Sequence, residues 1–181
     1  YTSSSRNMQN HFRNFAHWLK EKYLDSSSKL VEVGSNDGTL LENFKNTNIE
    51  VIGFEPSKTI AELANKKSIR TLNKFFNIQN IEDIKRFYSS VDVICSANVI
   101  AHIPDLKDVI KCVDKLLSSK GLLIFEEPYL GSMFSKVSYD QIYDEHIFMF
   151  SVNSVKKIFD LFDFDLIDVL PQITHGGSMR Y

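Results

Sequence analysis

The sequence predicts an α/β protein with a Rossmann-like, doubly wound and mostly parallel sheet, preceded by an amphipathic helix. Two observations carry this prediction. Apolar strands alternate with helical segments along most of the 181 residues. Four of the strands are continuous apolar runs, which is typical of a parallel sheet covered by helices on both faces. In such a sheet, ligands bind beyond the carboxyl ends of the strands.

The first predicted element is a helix from Met8 to Tyr23, where apolar residues recur every three or four positions. The elements that follow in chain order are the strand LVEVG, a helix at 38–44, the strand VIGFE, the helix SKTIAELANKK, a short strand near IRTL, a helix near IQNIEDIKRFY, the strand VDVICSAN, the helix LKDVIKCVDKLLSS and the strand GLLIFEE. The stretch PYLGSMFSKVSYDQIYDEH lacks regular periodicity, which predicts a functional loop. The helix SVNSVKKIFDLF and the strand DFDLIDVL come next, and GGSMRY is the apparent start of a further strand.

Composition limits the classes of function. With 43% hydrophobic and 24% charged residues, the chain is expected to form one domain over residues 1–181. A formal charge of -2 argues against binding to nucleic acid or anionic lipid. Cys95 and Cys112 form no C-x-x-C pair, so no structural metal is expected. No apolar run approaches the roughly 20 residues that span a bilayer, so we expect a cytoplasmic protein.

The stretch VEVGSNDGTLL leads from a buried strand into a glycine-containing turn. Its G-x-x-x-G spacing lacks the middle glycine of the dinucleotide fingerprint, and Asp37 would repel a pyrophosphate. A cationic nucleoside such as S-adenosylmethionine fits these groups better. The residues predicted to hold it here are Glu32, Gly34, Ser35, Asn36, Asp37 and Gly38. The two glycines alone are equally well explained by a tight turn without a ligand.

Further cofactor contacts are predicted after later strands. Glu55, followed by Pro56, ends the second strand about 20 residues after the glycines, where an acid hydrogen-bonds ribose hydroxyls. The alternative is that Glu55 only caps the next helix. Phe75 is assigned to adenine, although Phe75 and Phe76 are equally well explained as core residues. Asn98, at the end of the fourth strand, is expected near the methionine part of the cofactor.

Six blocks in this order resemble the deoxysugar C-methyltransferases: VEVGSNDGTLL, GFEPS, ANVIAHIPDL, EEPYL, YDEHIFMFS and THGGSMR. The resemblance implies the class I methyltransferase fold. It also implies methylation, by S-adenosylmethionine, of a carbon beside the ketone of a nucleotide-linked 4-keto-6-deoxysugar, with S-adenosylhomocysteine as product. Members of that family carry an N-terminal zinc-binding domain and a further C-terminal domain. Neither is recognisable in this sequence, which we therefore expect to be the central fragment.

Methylation at carbon requires an enolate, and hence a base and a donor to the enolate oxygen. The resemblance places the base at His146. Glu145 is expected to orient His146 or to contact the sugar, and Tyr143 to donate to the enolate oxygen or to hold the path of the leaving proton. The alternative for His146 is a structural histidine with only a backbone partner, and for Tyr143 a buried ring with a solvated hydroxyl. His102 is the alternative base or donor, with a structural turn residue as its other interpretation. Asp144 is interpreted as a solvated acid of the loop.

The substrate, a small molecule, is expected to contact residues near the chain ends and after the fifth strand. Those residues are Tyr1, Glu127, Tyr129, His175 and Arg180. Neighbouring strand residues face opposite ways, so at most one of Glu126 and Glu127 is expected to point into the site. Arg180 is assigned to a phosphate of the sugar nucleotide, or else lies at the surface of a plain hairpin turn.

Two other functions fit the same residues. One is an O- or N-methyltransferase of another small metabolite, which needs no enolate and no pairing of tyrosine with histidine. The other is a non-catalytic module that binds a nucleoside or a sugar nucleotide. A nicotinamide oxidoreductase ranks last because of the glycine spacing.

Overall fold

The computed structural model describes residues 2–181. Its α-helices are α1 (Arg6–Lys22), α2 (Lys58–Lys66), α3 (Glu82–Lys85), α4 (Leu106–Leu116), α5 (Leu130–Lys136) and α6 (Val152–Asp160). Its strands are β1 (Lys29–Val33), β2 (Glu50–Phe54), β3 (Thr71–Leu72), β4 (Val91–Ala97), β5 (Leu117–Pro128), β6 (Leu170–Gln172) and β7 (Ser178–Arg180). Short 3-10 helices lie at Thr2–Ser4, Leu41–Phe44, Ile100–His102, Tyr139–Gln141 and Thr174–Gly176.

Seven strands form one mixed sheet in the order β3-β2-β1-β4-β5-β7-β6. β1 pairs with β2 and β2 pairs with β3, in both cases in parallel. β7 comes last along the chain but lies between β5 and β6, and it is antiparallel to both. The predicted α/β fold with a mostly parallel sheet, preceded by a helix, is therefore confirmed.

The described chain divides into two compact units. The first unit ends at Cys95 and takes in Lys111–Leu123, while the second comprises Ser96–Ile110 and Ile124–Tyr181. In the first unit, the amphipathic helix α1 begins at the cap residue Ser5, whose side chain accepts the N–H of Met8 at 3.3 Å. The face of α1 predicted to be apolar buries Phe12, Phe15, Ala16 and Leu19.

The core of the second unit is aromatic. The ring of Phe125 stacks on Phe159 at 5.6 Å and on Tyr181 at 5.0 Å between centroids. Phe125 and Tyr181 also exchange both backbone hydrogen bonds, at 3.1 and 2.8 Å. Phe150 lies edge-on to Phe125 at 6.4 Å. The apolar end of the YDEHIFMF stretch is thus anchored in this core.

Several predicted elements differ in extent. Residues 163–169 of the expected strand DFDLIDVL form no ladder, because the strand that pairs with the three-residue β7 on this side is confined to Leu170–Gln172. The expected helix at 78–88 contracts to Glu82–Lys85, and the one at 38–44 becomes the 3-10 turn Leu41–Phe44. The aperiodic loop contains α5. This helix buries none of its residues, so it leaves no apolar period in the sequence.

Candidate functional site

The predicted residues fall into two groups. The predicted cofactor residues other than Asn98 belong to the first unit. Asn98, the predicted catalytic residues and the predicted substrate residues from Glu127 onward belong to the second unit. Tyr1, predicted to contact substrate, lies outside the described residues.

The glycine turn, residues 34–38, follows the end of β1 and has the backbone conformation that its glycines suggest. Gly34 and Gly38 have φ of 70° and 78°, and Asn36 has φ of 50°. A Cβ at Gly38 would lie 2.6 Å from the Cδ1 atom of Ile69. Both conformation and packing therefore require glycine at residue 38.

Gly53, in the middle of β2, is a second requirement of this turn that sequence reasoning missed. A Cβ at Gly53 would lie 2.2 Å from the Oγ of Ser35. The backbone N–H of Ser35 also donates to the carbonyl of Phe54 at 2.9 Å. The only clue in the sequence is a glycine inside an otherwise apolar strand, which indicates close approach of another backbone.

Glu55 connects the glycine turn to the start of α2. Its Oε2 accepts the backbone N–H of Asn36 at 3.1 Å, and its Oε1 accepts the N–H of Ser57 at 2.8 Å. Ser57 is the cap residue of α2. Glu55 therefore holds the N–H of the residue before α2, while α2 itself has no side-chain cap hydrogen bond, and the contact of Glu55 with a ribose stays a prediction.

The N-terminal residues contact two of the three polar side chains of the glycine turn. Thr2 N–H donates to Asn36 Oδ1 at 3.2 Å, and Ser3 donates through both N–H and Oγ to Asp37 Oδ2. Thr39 Oγ1 donates to the other oxygen of Asp37 at 2.7 Å. Burial acts to raise the pKa of Asp37, but these hydrogen bonds outweigh it and hold that pKa below its ordinary value.

Glu32 lies under this turn, fully enclosed. Its burial, followed by the negative charges of Asp37 and Glu55, raises its pKa well above the ordinary value. Glu32 Oε2 and Ser35 Oγ are buried and have no hydrogen-bond partner within the described residues. Three carboxyl groups and two unsatisfied oxygens thus make this turn a fitting site for a cationic ligand with hydrogen-bond donors.

The two phenylalanines after β3 differ in burial. Phe76 is buried, with its ring edge-on to Phe54 at 5.2 Å. Phe75 is 67% exposed, and its contact with adenine stays a prediction. The carbonyl of Pro56 accepts Asn73 Nδ2 at 2.8 Å, which ties the residue after Glu55 to this segment.

In the second unit, His146 is held in one tautomer by its neighbours. Its Nδ1 lies 2.7 Å from the carbonyl oxygen of Gln141, and its Nε2 lies 3.0 Å from the hydroxyl of Tyr143. A carbonyl oxygen only accepts, so Nδ1 carries the proton and Nε2 accepts from Tyr143. In the neutral ring, the lone pair that a base would use is on Nε2, where it accepts the Tyr143 hydrogen bond.

The second predicted histidine lies beside the first. The rings of His102 and His146 are 4.9 Å apart between centroids. Burial, then the charges of Glu145 and Glu127, raise the pKa of Tyr143, so its phenol stays protonated and able to donate. Asp144 is exposed, consistent with a solvated loop acid. The structure therefore brings His102, Tyr143 and His146 together.

The two glutamates that end β5 have different partners. Arg180 donates from Nε to Glu126 Oε1 at 2.6 Å, and both side chains are buried. Glu127 Oε1 accepts the N–H groups of Val99 at 3.0 Å and Ile100 at 2.7 Å. Burial raises the pKa of Glu127 to about 7, against the effect of these amides. Substrate contacts of Glu127 and Arg180 stay predictions.

The remaining predicted residues, Tyr129, His175 and Asn98, each have a different local environment. Tyr129 covers Gly131, where a Cβ would lie 2.4 Å from the tyrosine ring. His175 has φ of 49°, in the turn before β7. Asn98 has φ of 57°, donates its N–H to the carbonyl of Glu126 at 2.8 Å, and has a buried Oδ1 with no partner in the described chain. That unsatisfied oxygen is suited to a ligand donor.

Membrane-spanning helices and clusters of metal ligands are both absent from the described residues. No helix within residues 2–181 is both long and apolar enough to cross a membrane. The same residues contain no group of three or more histidine, cysteine, aspartate and glutamate side chains arranged to hold a metal ion.

Comparison with known proteins identifies the fold and family. A family model described as a methyltransferase domain matches residues 5–169. The C-methyltransferase NovU of Streptomyces niveus is 31% identical over 86% of this chain, which spans only 37% of that relative's length. Magnesium protoporphyrin IX methyltransferase of Synechocystis PCC 6803, solved with bound SAH, is 14% identical, with a TM-score of 0.70 over 95% of this chain and 80% of that one.

A further solved structure has the same fold. A SAM-dependent methyltransferase from Archaeoglobus fulgidus is 19% identical, with a TM-score of 0.66 over 89% of this chain and 72% of that one. At such identities the two structures establish fold alone, while the family model covers most of the chain. The chain therefore belongs to the methyltransferase domain family and has the fold of class I S-adenosylmethionine-dependent methyltransferases.

Proposed function

We propose that this chain is the catalytic domain of an S-adenosylmethionine-dependent C-methyltransferase acting on a nucleotide-linked 4-keto-deoxysugar. The observation that carries the proposal is the fixed tautomer of His146, with Nδ1 on the Gln141 carbonyl and Nε2 beside the Tyr143 hydroxyl. A neutral imidazole prepared in this way is what proton removal beside a ketone needs, and methyl transfer to oxygen or nitrogen needs no enolate. The name of the 31% identical relative, a C-methyltransferase, supports the same chemistry.

The glycine turn fits the proposed cofactor. Its unsatisfied Glu32 Oε2 and Ser35 Oγ offer acceptors to an ammonium group, and the carboxylate of Asp37 offers a negative charge to the ammonium or the sulfonium. Glu55 would receive the ribose hydroxyls, and the exposed Phe75 would pack on adenine. S-Adenosylmethionine, when bound, supplies an electrophilic methyl group on a positively charged sulfur.

The proposed role of the chain's own residues is to make the nucleophile. Substrate binding turns the Tyr143 hydroxyl from His146 Nε2 to the ketone oxygen. Nε2 then takes the proton from the neighbouring carbon, and the C–H electron pair forms the enolate, whose oxygen Tyr143 stabilises. His102, with its ring 4.9 Å from that of His146, is the second group available to the enolate oxygen.

The cofactor part of the proposal is tested by calorimetry with S-adenosylhomocysteine. We expect Asp37→Ala and Glu55→Ala each to weaken binding about tenfold or more, because each removes a charged partner. Glu62→Ala, an exposed acid on α2, is the matched control and should bind like the unmodified chain. Unchanged affinity in both site variants would reject the assignment of this turn.

The chemical part is tested with a 4-keto-deoxysugar nucleotide in D₂O. Without cofactor, we expect deuterium to enter the carbon beside the ketone, and His146→Ala to abolish that exchange. With cofactor, NMR of the product should locate the new methyl on that carbon. Exchange that survives His146→Ala would remove it as base, and a methyl on oxygen or nitrogen would replace the proposed reaction.

A further inference from the structure

The Glu127 side chain ends among backbone amides. It is fully buried, and its Oε1 accepts the N–H groups of Val99 and Ile100 at 3.0 and 2.7 Å. The backbone N–H of Ala101 also acts on this carboxylate. Two successive amides thus donate to one carboxylate oxygen, and they belong to the turn that leads directly into His102.

The same turn holds the segment that follows the other histidine. The carbonyl of Ala101 accepts the N–H of Ile147 at 2.9 Å and that of Phe148 at 3.2 Å. These two residues come immediately after His146. A continuous chain of hydrogen bonds therefore runs from Glu127, through the turn at residues 99–101, to the backbone beside His146.

We propose that Glu127 is a positioning residue, whose carboxylate fixes the turn at residues 99–101 and thereby sets the placement of His102 and His146 relative to each other. It acts through backbone groups, which differs from the sugar contact predicted from the sequence. The inference rests on the proposed function only for the role of His146 as base. The hydrogen bonds themselves do not depend on which reaction the domain performs.

The geometry separates the two properties of Glu127 that matter, its acceptor oxygen and its charge. Only Oε1 has partners, while Oε2 has none within the described residues. Glu127→Gln keeps an oxygen at the position of Oε1 but removes the charge. Glu127→Asp keeps the charge but withdraws it by about 1.5 Å, one C–C bond, which leaves the amides without an acceptor.

Hydrogen exchange and histidine NMR on the folded chain test the proposal without any substrate. In Glu127→Asp and Glu127→Ala, we expect the amides of Ile147 and Phe148 to exchange roughly tenfold faster or more. We also expect the His146 ring nitrogens to shift from the Nδ1–H form toward a mixture of tautomers. In Glu127→Gln, the same two amides should exchange at rates within about twofold of those in the unmodified chain.

The control and the opposing outcomes are specific. Asp144→Asn removes an exposed acid two residues before His146 and should change neither measurement. If Glu127→Ala does not fold, the contrast between the Asp and Gln variants decides. Three outcomes would each overturn the proposal. The Ile147 and Phe148 amides could exchange in Glu127→Asp as slowly as in the unmodified chain, or they could exchange equally fast in the Asp and Gln variants. Exchange could also become faster throughout α6.

A parallel assay separates this inference from the proposed function. With the 4-keto-deoxysugar nucleotide, Glu127→Asp should lower the rate of deuterium exchange more than tenfold while the KM stays within about twofold. If the NMR changes occur but the unmodified chain exchanges no substrate deuterium, the positioning role stands and the proposed function falls.

Discussion

Replacing Glu127 by glutamine should change how the stability of the protein depends on pH. Burial raises the pKa of Glu127 from 4.5 to about 7, although the amides of Val99, Ile100 and Ala101 act in the opposite direction. Between these two values the folded chain binds more protons than the unfolded chain. Stability from this group is therefore present at acidic pH and is lost as the pH rises to about 7.

The size of this effect follows from the two pKa values. A change from 4.5 to about 7 corresponds to about 3 kcal/mol of unfolding free energy. Glutamine keeps the acceptor oxygen and cannot ionise, so the variant lacks this loss. The difference in unfolding free energy, Glu127→Gln minus unmodified, should thus rise by about 3 kcal/mol between pH 4 and pH 8.

Urea unfolding at several pH values between 4 and 8 measures the difference in unfolding free energy between the two chains. Equal m-values check that both chains expose the same surface on unfolding. Glu62→Gln, an exposed position on α2, is the control and should give a flat difference. A flat difference for Glu127→Gln as well would refute the argument that burial dominates. A difference that falls with rising pH would mean that the three amides dominate and hold the carboxyl ionised.

Three further changes test other contacts. Ser3→Ala removes the hydroxyl donor to Asp37 and should lower the free energy of unfolding by about 1 to 2 kcal/mol at pH 7. Urea unfolding should show that this difference becomes smaller below pH 4, where the Asp37 carboxylate becomes protonated. Val137→Gly should raise the midpoint of urea unfolding by the equivalent of about 1 kcal/mol, because the 63% exposed valine has φ of 56°. An unchanged midpoint would show that the backbone at Val137 is not strained. Arg180→Met removes the guanidinium that pairs with the buried Glu126, so the melting temperature should fall by roughly 10 °C in thermal unfolding; the double variant with Glu126→Met should recover most of that loss.

The parts of the fold that the sequence predicted are those set by local patterns. Helix α1 has an apolar face at helical spacing, and β1, β2 and β4 are apolar runs bounded by polar turns. The position of β7 between β5 and β6 depends on pairing between distant segments. Such pairing leaves no period in the sequence, and it is also why only Leu170 of the expected strand DFDLIDVL lies in β6.

The same division holds for the candidate site. The glycine turn was recognisable because positive φ favours glycine locally. Gly53 was missed because its reason is the Ser35 side chain, 18 positions earlier. Likewise, the partner of Arg180 is Glu126, 54 positions away, and a surface arginine and a buried one look alike in sequence.

The tautomer of His146 could not be predicted from the identities of the side chains around it. Tyr143 and His146 are three residues apart, so their contact is local, but the nitrogen left available is decided by a backbone carbonyl at Gln141. A backbone group carries no residue preference, so many side chains at position 141 would serve. What places this carbonyl is the backbone conformation of the segment before residue 141. Val137, four residues before Gln141, ends α5 in the left-handed region, so the backbone turns out of the helix shortly before it reaches that carbonyl.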